Sequence, residues 1–137
     1  MRISVILSSY MHESYIEEAI LSVLNQTTLP DEFIIVDDGS TDGSRAIIER
    51  YQDQAKLIFK SNGGHSSAIN AACAVANGDV ICFLDSDDRY AANKLTELKA
   101  VWERNPDATM VYHQLMTIDA QGNSKGKPWP RILLDGE

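Results

Sequence analysis

The stretch Val80-Ile81-Cys82-Phe83-Leu84-Asp85-Ser86-Asp87-Asp88 decides how this chain is read. An unbroken apolar run of that length reads as a buried strand. It ends in three carboxylates within four residues. A strand that ends in acids delivers them to the carboxyl edge of a sheet, where open α/β sheets bind ligands. Clustered carboxylates repel one another, and a cation is the simplest compensation. A hard divalent metal with oxygen ligands, shared with a phosphate, would supply it. The competing reading is a solvated acidic turn after a strand.

A second site of the same design separates the two readings. Phe33-Ile34-Ile35-Val36 is another apolar run, and it ends in Asp37-Asp38-Gly39-Ser40-Thr41-Asp42-Gly43. A third run, Ile3-Ser4-Val5-Ile6-Leu7, ends in Ser8-Ser9-Tyr10. If the three strands are parallel, their ends line one edge of one sheet. Between them the periodicity predicts helices over about 15–25, 44–54, 66–76 and 93–104, and short strands over about 56–60 and 109–117. Ser14 and Glu17 form a capping-box pattern at the first helix. Tyr15, Ile16, Ala19, Ile20, Val23 and Leu24 share its apolar face, and Ala46, Ile47, Ile48 and Tyr51 form the stripe of the second. Asn77-Gly78 reads as the C-cap of the third helix. Asp119-Ala120-Gln121-Gly122-Asn123 reads as a turn able to start a hairpin, and the tail from Ser124 shows no clear period. The alternation predicts an α/β domain, a doubly wound and mostly parallel sheet with right-handed crossovers, over residues 1–137.

Four segments together carry a resemblance. Ser4-Val5-Ile6-Leu7-Ser8-Ser9-Tyr10, Ser22-Val23-Leu24-Asn25-Gln26-Thr27, Val36-Asp37-Asp38-Gly39-Ser40-Thr41-Asp42 and Phe83-Leu84-Asp85-Ser86-Asp87-Asp88 resemble the family 2 glycosyltransferases in order and spacing, to about Leu95. The resemblance implies a GT-A, Rossmann-like nucleotide-binding half. It implies a sugar nucleotide, a UDP-sugar first, from which sugar passes to an acceptor with inversion. Asp85-Ser86-Asp87 matches the family's Asp-x-Asp signature. By that match Asp87 is the direct ligand of Mn²⁺ or Mg²⁺, Asp85 lies near the ribose and the metal's water shell, and Asp88 is a supporting acid. Tyr10 is expected to stack on the base with Ser8 beside it, and Asp38, in preference to Asp37, to accept the N3–H of uracil. The loop Asn62-Gly63-Gly64-His65 is expected to let backbone approach the ligand at Gly64. Two departures stand out. The family's Asn after the tyrosine is Met11 here, and its Pro near position 92 is replaced by Ala91-Ala92.

Composition narrows the alternatives. The chain has 137 residues, 44% of them hydrophobic, which suits one soluble domain. The formal charge of −8 excludes a basic nucleic-acid-binding face. No apolar run approaches the length of a membrane span, and Met1 leads directly into a strand pattern, so a cytoplasmic location is the default. Cys73 and Cys82 read as small buried residues, not as a disulfide. Asp38, Ser40, Asp42, Gly43 and Glu49 fit a calcium-loop spacing, but such a loop follows a helix and this one follows a strand. His12 and His113 are isolated and with His65 show no metal-ligand spacing, and His65 reads as an exposed loop residue and not a catalyst.

The catalytic base is not legible. In the resembling family it lies well downstream of the Asp-x-Asp motif, and no matching segment occurs before Glu137. The expectation is a nucleotide-binding half that binds donor but transfers sugar poorly, with an open apolar edge prone to self-association. Any base within the chain would have to be Asp107, Asp119, Asp135 or Glu137. The alternative function is a binding module without turnover. A phosphoaspartate receiver needs an acidic pair where Ser8-Ser9-Tyr10 stands, and a nucleotidyltransferase needs a basic Gly-rich loop near the N-terminus.

Overall fold

The computed structural model describes residues 1–129. In chain order the elements are β1 (Ile3–Ser9), α1 (Ile16–Leu24), β2 (Glu32–Asp37), α2 (Ser44–Glu49), β3 (Lys56–Phe59), α3 (His65–Cys73), β4 (Val80–Asp85), α4 (Lys94–Arg104), β5 (Leu115–Ile118) and β6 (Ser124–Trp129). The chain divides into two compact units, the first spanning Met1–Val101. In that unit four strands form a sheet in the order β3-β2-β1-β4, with every neighbouring pair parallel.

The strand order fixes where the helices lie. The chain steps from β1 to β2 to β3 in one direction, then crosses back beyond β1 to β4. Right-handed crossovers therefore put α1 and α2 on one face and α3 on the other. Consistent with this, α1 lies against both β1 and α2, while α3 lies against β1 and β2. On the α3 face, Ala68 and Ala72 close on Ile6, Ile34 and Val36. Small residues at these two helix positions let the helix sit close over the β-branched strand residues. From α1, Ile16, Ala19, Ile20 and Val23 are buried.

Several boundaries differ from the sequence reading, each for a local reason. The capping box at Ser14 and Glu17 does not form. The His12 carbonyl instead accepts the amides of Tyr15 and Ile16, and Glu17 turns to Arg50 and to the Tyr51 hydroxyl. Tyr15 is exposed, not on the buried face. α2 stops at Glu49, so its stripe reduces to Ile48; Ala46 is exposed and Tyr51 lies in the following turn. α3 ends at Cys73 with Ala74 as its C-cap, and Gly78 has no positive φ. β4 is a half-buried strand: Cys82 and Leu84 are buried, while Ile81 is 36% and Phe83 53% exposed. It is an edge strand with one covered face, so period-2 alternation operates there despite the unbroken apolar sequence.

The strand expected over 109–117 is shorter, and it lies outside the main sheet. In the second unit, β5 pairs antiparallel with β6 across the turn at Asp119, whose carboxylate accepts the amides of Gln121 and Asn123. The tail that showed no period thus contributes a strand over Ser124–Trp129.

The amino edge of the first unit is tied by a polar network. Ser4 Oγ, fully buried, donates to Glu32 Oε2 at 2.5 Å and accepts the Gly78 amide at 2.9 Å. The Asn77 amide donates to the same Glu32 oxygen at 2.9 Å. These bonds hold the Glu32 carboxyl below its ordinary range, with the Ser4 hydroxyl the largest cause. Gly78 is required by proximity: a Cβ there would stand 2.6 Å from both Ser4 N and Ser4 Oγ. Gly78→Ala is expected to lower stability by about 1–3 kcal/mol through overpacking against backbone. The control is Gly43→Ala, whose new methyl would meet the movable carboxylate end of Glu13 and should be tolerated better. Thermal melts by circular dichroism compare the two, and an equal loss at both positions would refute the backbone clash.

Candidate active site

In a doubly wound sheet the ligand crevice opens where the strand order reverses, outside the carboxyl ends of the two diverging strands. Here that point lies between β1 and β4. Parallel pairing sets Ser8 opposite Asp85, and Ser9 opposite Asp37. The three acidic or polar strand ends read from sequence are therefore level along one edge.

At the switch point, Ser8 Oγ donates to Asp85 Oδ1 at 3.1 Å. His65, the first residue of α3, brings Nδ1 to 3.4 Å from Ser8 Oγ and 3.8 Å from Asp85 Oδ1. His65 is exposed, as expected, but it belongs to this cluster and is no isolated loop residue. The Asp85 side chain is 57% exposed. Asp87 and Asp88 follow on the exposed turn, whose backbone closes through the Asp88 amide on the Asp85 carbonyl at 3.0 Å. Ser86 between them is buried, and its amide donates to the Ser8 carbonyl at 3.1 Å. Tyr10, at the end of β1, is 50% exposed.

The acids after β2 are in a different state. Both are buried and both are engaged. Asp37 accepts the Ser40 amide at 3.0 Å and its hydroxyl at 2.5 Å, a local turn. Asp38 accepts Lys60 Nζ at 2.5 Å and the Gly64 amide at 2.7 Å, and the Gly63 amide is shared between its two oxygens at 3.1 Å. Burial pushes the Asp38 carboxyl up, but the Lys60 ammonium and the two amides outweigh it and hold it below the usual range. These four contacts, two on each oxygen, take up the roughly four acceptor positions of the carboxylate. Gly39 is needed for this approach: its φ is +80°, and a Cβ would stand 2.7 Å from Asn62 N. Gly64, with φ of +85°, spends its amide on Asp38 and precedes the open N-terminus of α3.

The calcium-loop spacing does not gather its ligands. Asp38 faces Lys60, while Asp42 accepts the amides of Ser44 and Glu13, each at 3.0 Å. Asp42 thus satisfies the first amide of α2 from one residue before the N-cap position. Met11 has a φ of +58°, a conformation that Asn enters more readily. Its sulfur takes up local bonding, accepting the Thr41 amide at 3.3 Å.

Among the described residues, no three His, Cys, Asp or Glu side chains gather into a metal cage. The donor set still fits a hard cation, because Mg²⁺-like ions take one or two carboxylates and fill the remaining positions with water and substrate phosphates. The charge pattern agrees. Burial raises the Asp88 carboxyl above its ordinary range, and the neighbouring charges of Asp87 and Asp85 raise it further.

Sequence reasoning missed the residues that hold the acidic turn. Gln26 is buried in the α1–β2 connection; its amide nitrogen donates to Ala91 O at 2.7 Å and its oxygen accepts the Leu95 amide at 3.0 Å. Ser22 Oγ accepts the Tyr90 amide at 3.0 Å. His12 Nδ1 shares a 2.7 Å hydrogen bond with Ser86 Oγ. Local spacing cannot pair such residues with partners some 65 residues away. Of the acids considered as a base, Asp107 is exposed, Asp119 is committed to the hairpin turn, and Asp135 and Glu137 lie outside the described residues.

The description Glycosyl transferase family 2 matches residues 4–133, and the chain belongs to that family. An uncharacterized glycosyltransferase of Nostoc sp. is 46% identical over 91% of this chain and 39% of its own length. The chain thus spans well under half of that relative. Crystal structures of S. aureus TarS with UDP-GlcNAc match 76% of this chain and 32% of that chain, at 33% identity and a TM-score of 0.67. A mannosyltransferase from Pyrobaculum calidifontis, in complex with GDP-Man and Mn²⁺, matches 77% and 33%, at 26% identity and a TM-score of 0.64. These neighbours establish the GT-A fold. No helix among the described residues is long and apolar enough to cross a membrane.

The raised Asp88 carboxyl has a stability consequence with a definite sign. A carboxyl raised in the folded state binds more protons there than in the unfolded chain, so its favourable contribution is present at low pH and lost as pH rises through the folded value. Asp88→Asn mimics the protonated form. It is expected to leave stability unchanged below the ordinary carboxylate value of 3.8 and to raise it at neutral pH. Denaturant midpoints of parent and variant across pH test this; a pH-independent difference would reject it.

Proposed function

We propose that this chain is the donor-binding part of a glycosyltransferase that takes a nucleotide-diphosphate sugar, a UDP-sugar first, and passes the sugar to an acceptor hydroxyl with inversion, assisted by Mn²⁺ or Mg²⁺. The observation that carries the reading is the convergence of Ser8, Asp85 and His65 at the sheet's switch point, beside an exposed acidic turn. The neighbours solved with UDP-GlcNAc, and with GDP-Man and Mn²⁺, support a sugar nucleotide as the ligand class.

The residues have separable roles. Tyr10 offers an exposed ring on which a base can stack, and stacking removes apolar surface of both partners from water. Asp38 holds the loop beside the base through Lys60, Gly63 and Gly64, and its role as acceptor of the base N3–H requires the base to replace one of these contacts. Asp85, anchored by Ser8, faces the ribose. The amides opening α3 add a positive dipole end near the phosphates. Asp87 holds the cation, which offsets the charge developing on the nucleoside diphosphate leaving group. The base that takes the acceptor proton is not assigned among the described residues.

Metal dependence is the direct test. UDP is expected to bind weakly in EDTA and more tightly with Mn²⁺ by calorimetry. Asp87→Ala should abolish the gain, whereas Asp85→Ala should weaken UDP in both conditions. Equal UDP affinity with and without Mn²⁺ in the parent chain would sink the site assignment.

Base selection gives a second test. Asp38→Asn is expected to narrow the preference for UDP over GDP, because losing a charged hydrogen bond costs about 1.5–3 kcal/mol. The same change removes the carboxylate charge opposite Lys60, which keeps the Ser61 carbonyl, and should lower the thermal midpoint. A variant with a lowered midpoint but an unchanged UDP preference would assign Asp38 to loop support alone.

A further inference from the structure

His12 joins the three loops that surround the site. Its amide donates to Ser44 Oγ at 3.1 Å, at the start of α2. Its carbonyl accepts the amides of Tyr15 and Ile16 at 3.0 and 2.9 Å, opening α1. Its ring reaches the third loop, where Nδ1 and Ser86 Oγ share a 2.7 Å hydrogen bond. The same ring stands edge-on to Tyr15, with centroids 6.2 Å apart. The backbone of His12 thus serves the helix starts, and its imidazole serves the acidic turn.

Ser86 is the middle residue of Asp85-Ser86-Asp87. It is buried while both flanking aspartates are exposed. Ser86 is the first central residue of the turn that the Asp88 amide closes on the Asp85 carbonyl, so fixing its buried side chain holds the turn that carries both neighbours. Ser86 is held at its backbone by Ser8 and at its hydroxyl by His12. Those two residues flank Ser9, Tyr10 and Met11 on the chain.

We propose that His12 is a positioning residue for the cation-binding turn: through Ser86 its imidazole sets the direction of Asp85 and Asp87 and joins them to the segment that carries Tyr10. This rests on the assignment of Asp87 to the cation. Partners of this outer kind orient the groups that touch a metal, and their loss weakens metal affinity roughly 10–100-fold.

Calorimetric titration of UDP with and without Mn²⁺ on the parent, His12→Ala, His12→Asn and Ser86→Ala tests it. Asn keeps a polar atom at the position of Nδ1. The Mn²⁺-dependent gain is expected to fall roughly 10–100-fold in His12→Ala and Ser86→Ala and to recover in His12→Asn, with UDP affinity in EDTA little changed. A purely structural role would instead lower the thermal midpoint and both UDP affinities together, and that outcome overturns the proposal. A full Mn²⁺ gain in His12→Ala overturns it while leaving the donor site standing. If His12→Ala does not fold, a full gain in Ser86→Ala overturns it in the same way. Absence of any Mn²⁺ gain in the parent overturns the donor-site assignment itself, and this proposal with it.

Discussion

The burial of β1 is the constraint on which the first unit depends. All seven of its residues are buried, and it pairs on both sides, with β2 and β4. Three of the seven are serines. A hydroxyl in such a position is costly unless bonded. Ser4 meets Glu32 and Gly78 at the amino end, and Ser8 meets Asp85 at the carboxyl end. The central strand therefore carries polar contacts to its neighbours at both ends. These help to fix the register that sets the strand termini level. Ser9 Oγ is the exception: it is buried without a partner among the described residues. Such a group weighs about 1–3 kcal/mol against folding, a burden placed one residue from the proposed base-stacking ring.

Two acidic strand ends that look alike in sequence behave as opposites. Asp37 and Asp38 are buried, and their charges are absorbed by Ser40, Lys60 and two glycine amides. Asp85, Asp87 and Asp88 crowd one turn, where desolvation first and the two neighbouring charges second raise the Asp88 carboxyl. The first pair organises a loop, and the second set leaves negative charge exposed. In a chain of net charge −8 such a concentration adds self-repulsion, which on the proposed reading a bound cation offsets.

The parallel sheet, the crossovers and the three polar strand ends were legible because each rests on local pattern: apolar runs of strand length, then carboxylates or serines. The Asp-Ser-Asp turn was legible for the same reason. Features set by distant partners were not. Ser14 and Glu17 fit a capping box, yet the His12 carbonyl took the helix-opening amides and Arg50 drew Glu17 away. The β4 run suggested burial on both faces, but its edge position leaves Phe83 exposed. His12 looked isolated and His65 read as a plain loop residue because their partners, Ser86 and Asp85, lie on another strand end. Gly78 fit a left-handed cap, whereas its actual constraint is the closeness of Ser4. The hairpin turn at Asp119 was visible in its residues, but the strand that returns from it was not, since Ser124-Lys125-Gly126-Lys127-Pro128 has no apolar alternation.

The loops at the carboxyl edge are tied to one another before any ligand arrives. Glu13 donates its amide to Asp42 and accepts the Gly43 amide, a reciprocal pair between the first two loops. Ser40 accepts the Met11 amide, which steadies a residue held at positive φ. Gln26 ties the start of α4, just after the acidic turn, to the end of α1. Organisation of this kind reduces the ordering that binding would otherwise have to impose. On the proposed reading, the cation is then needed for its charge and not to build the site. The geometry is already supplied by hydrogen bonds, and the exposed negative charge of the acidic turn is what those bonds leave uncompensated.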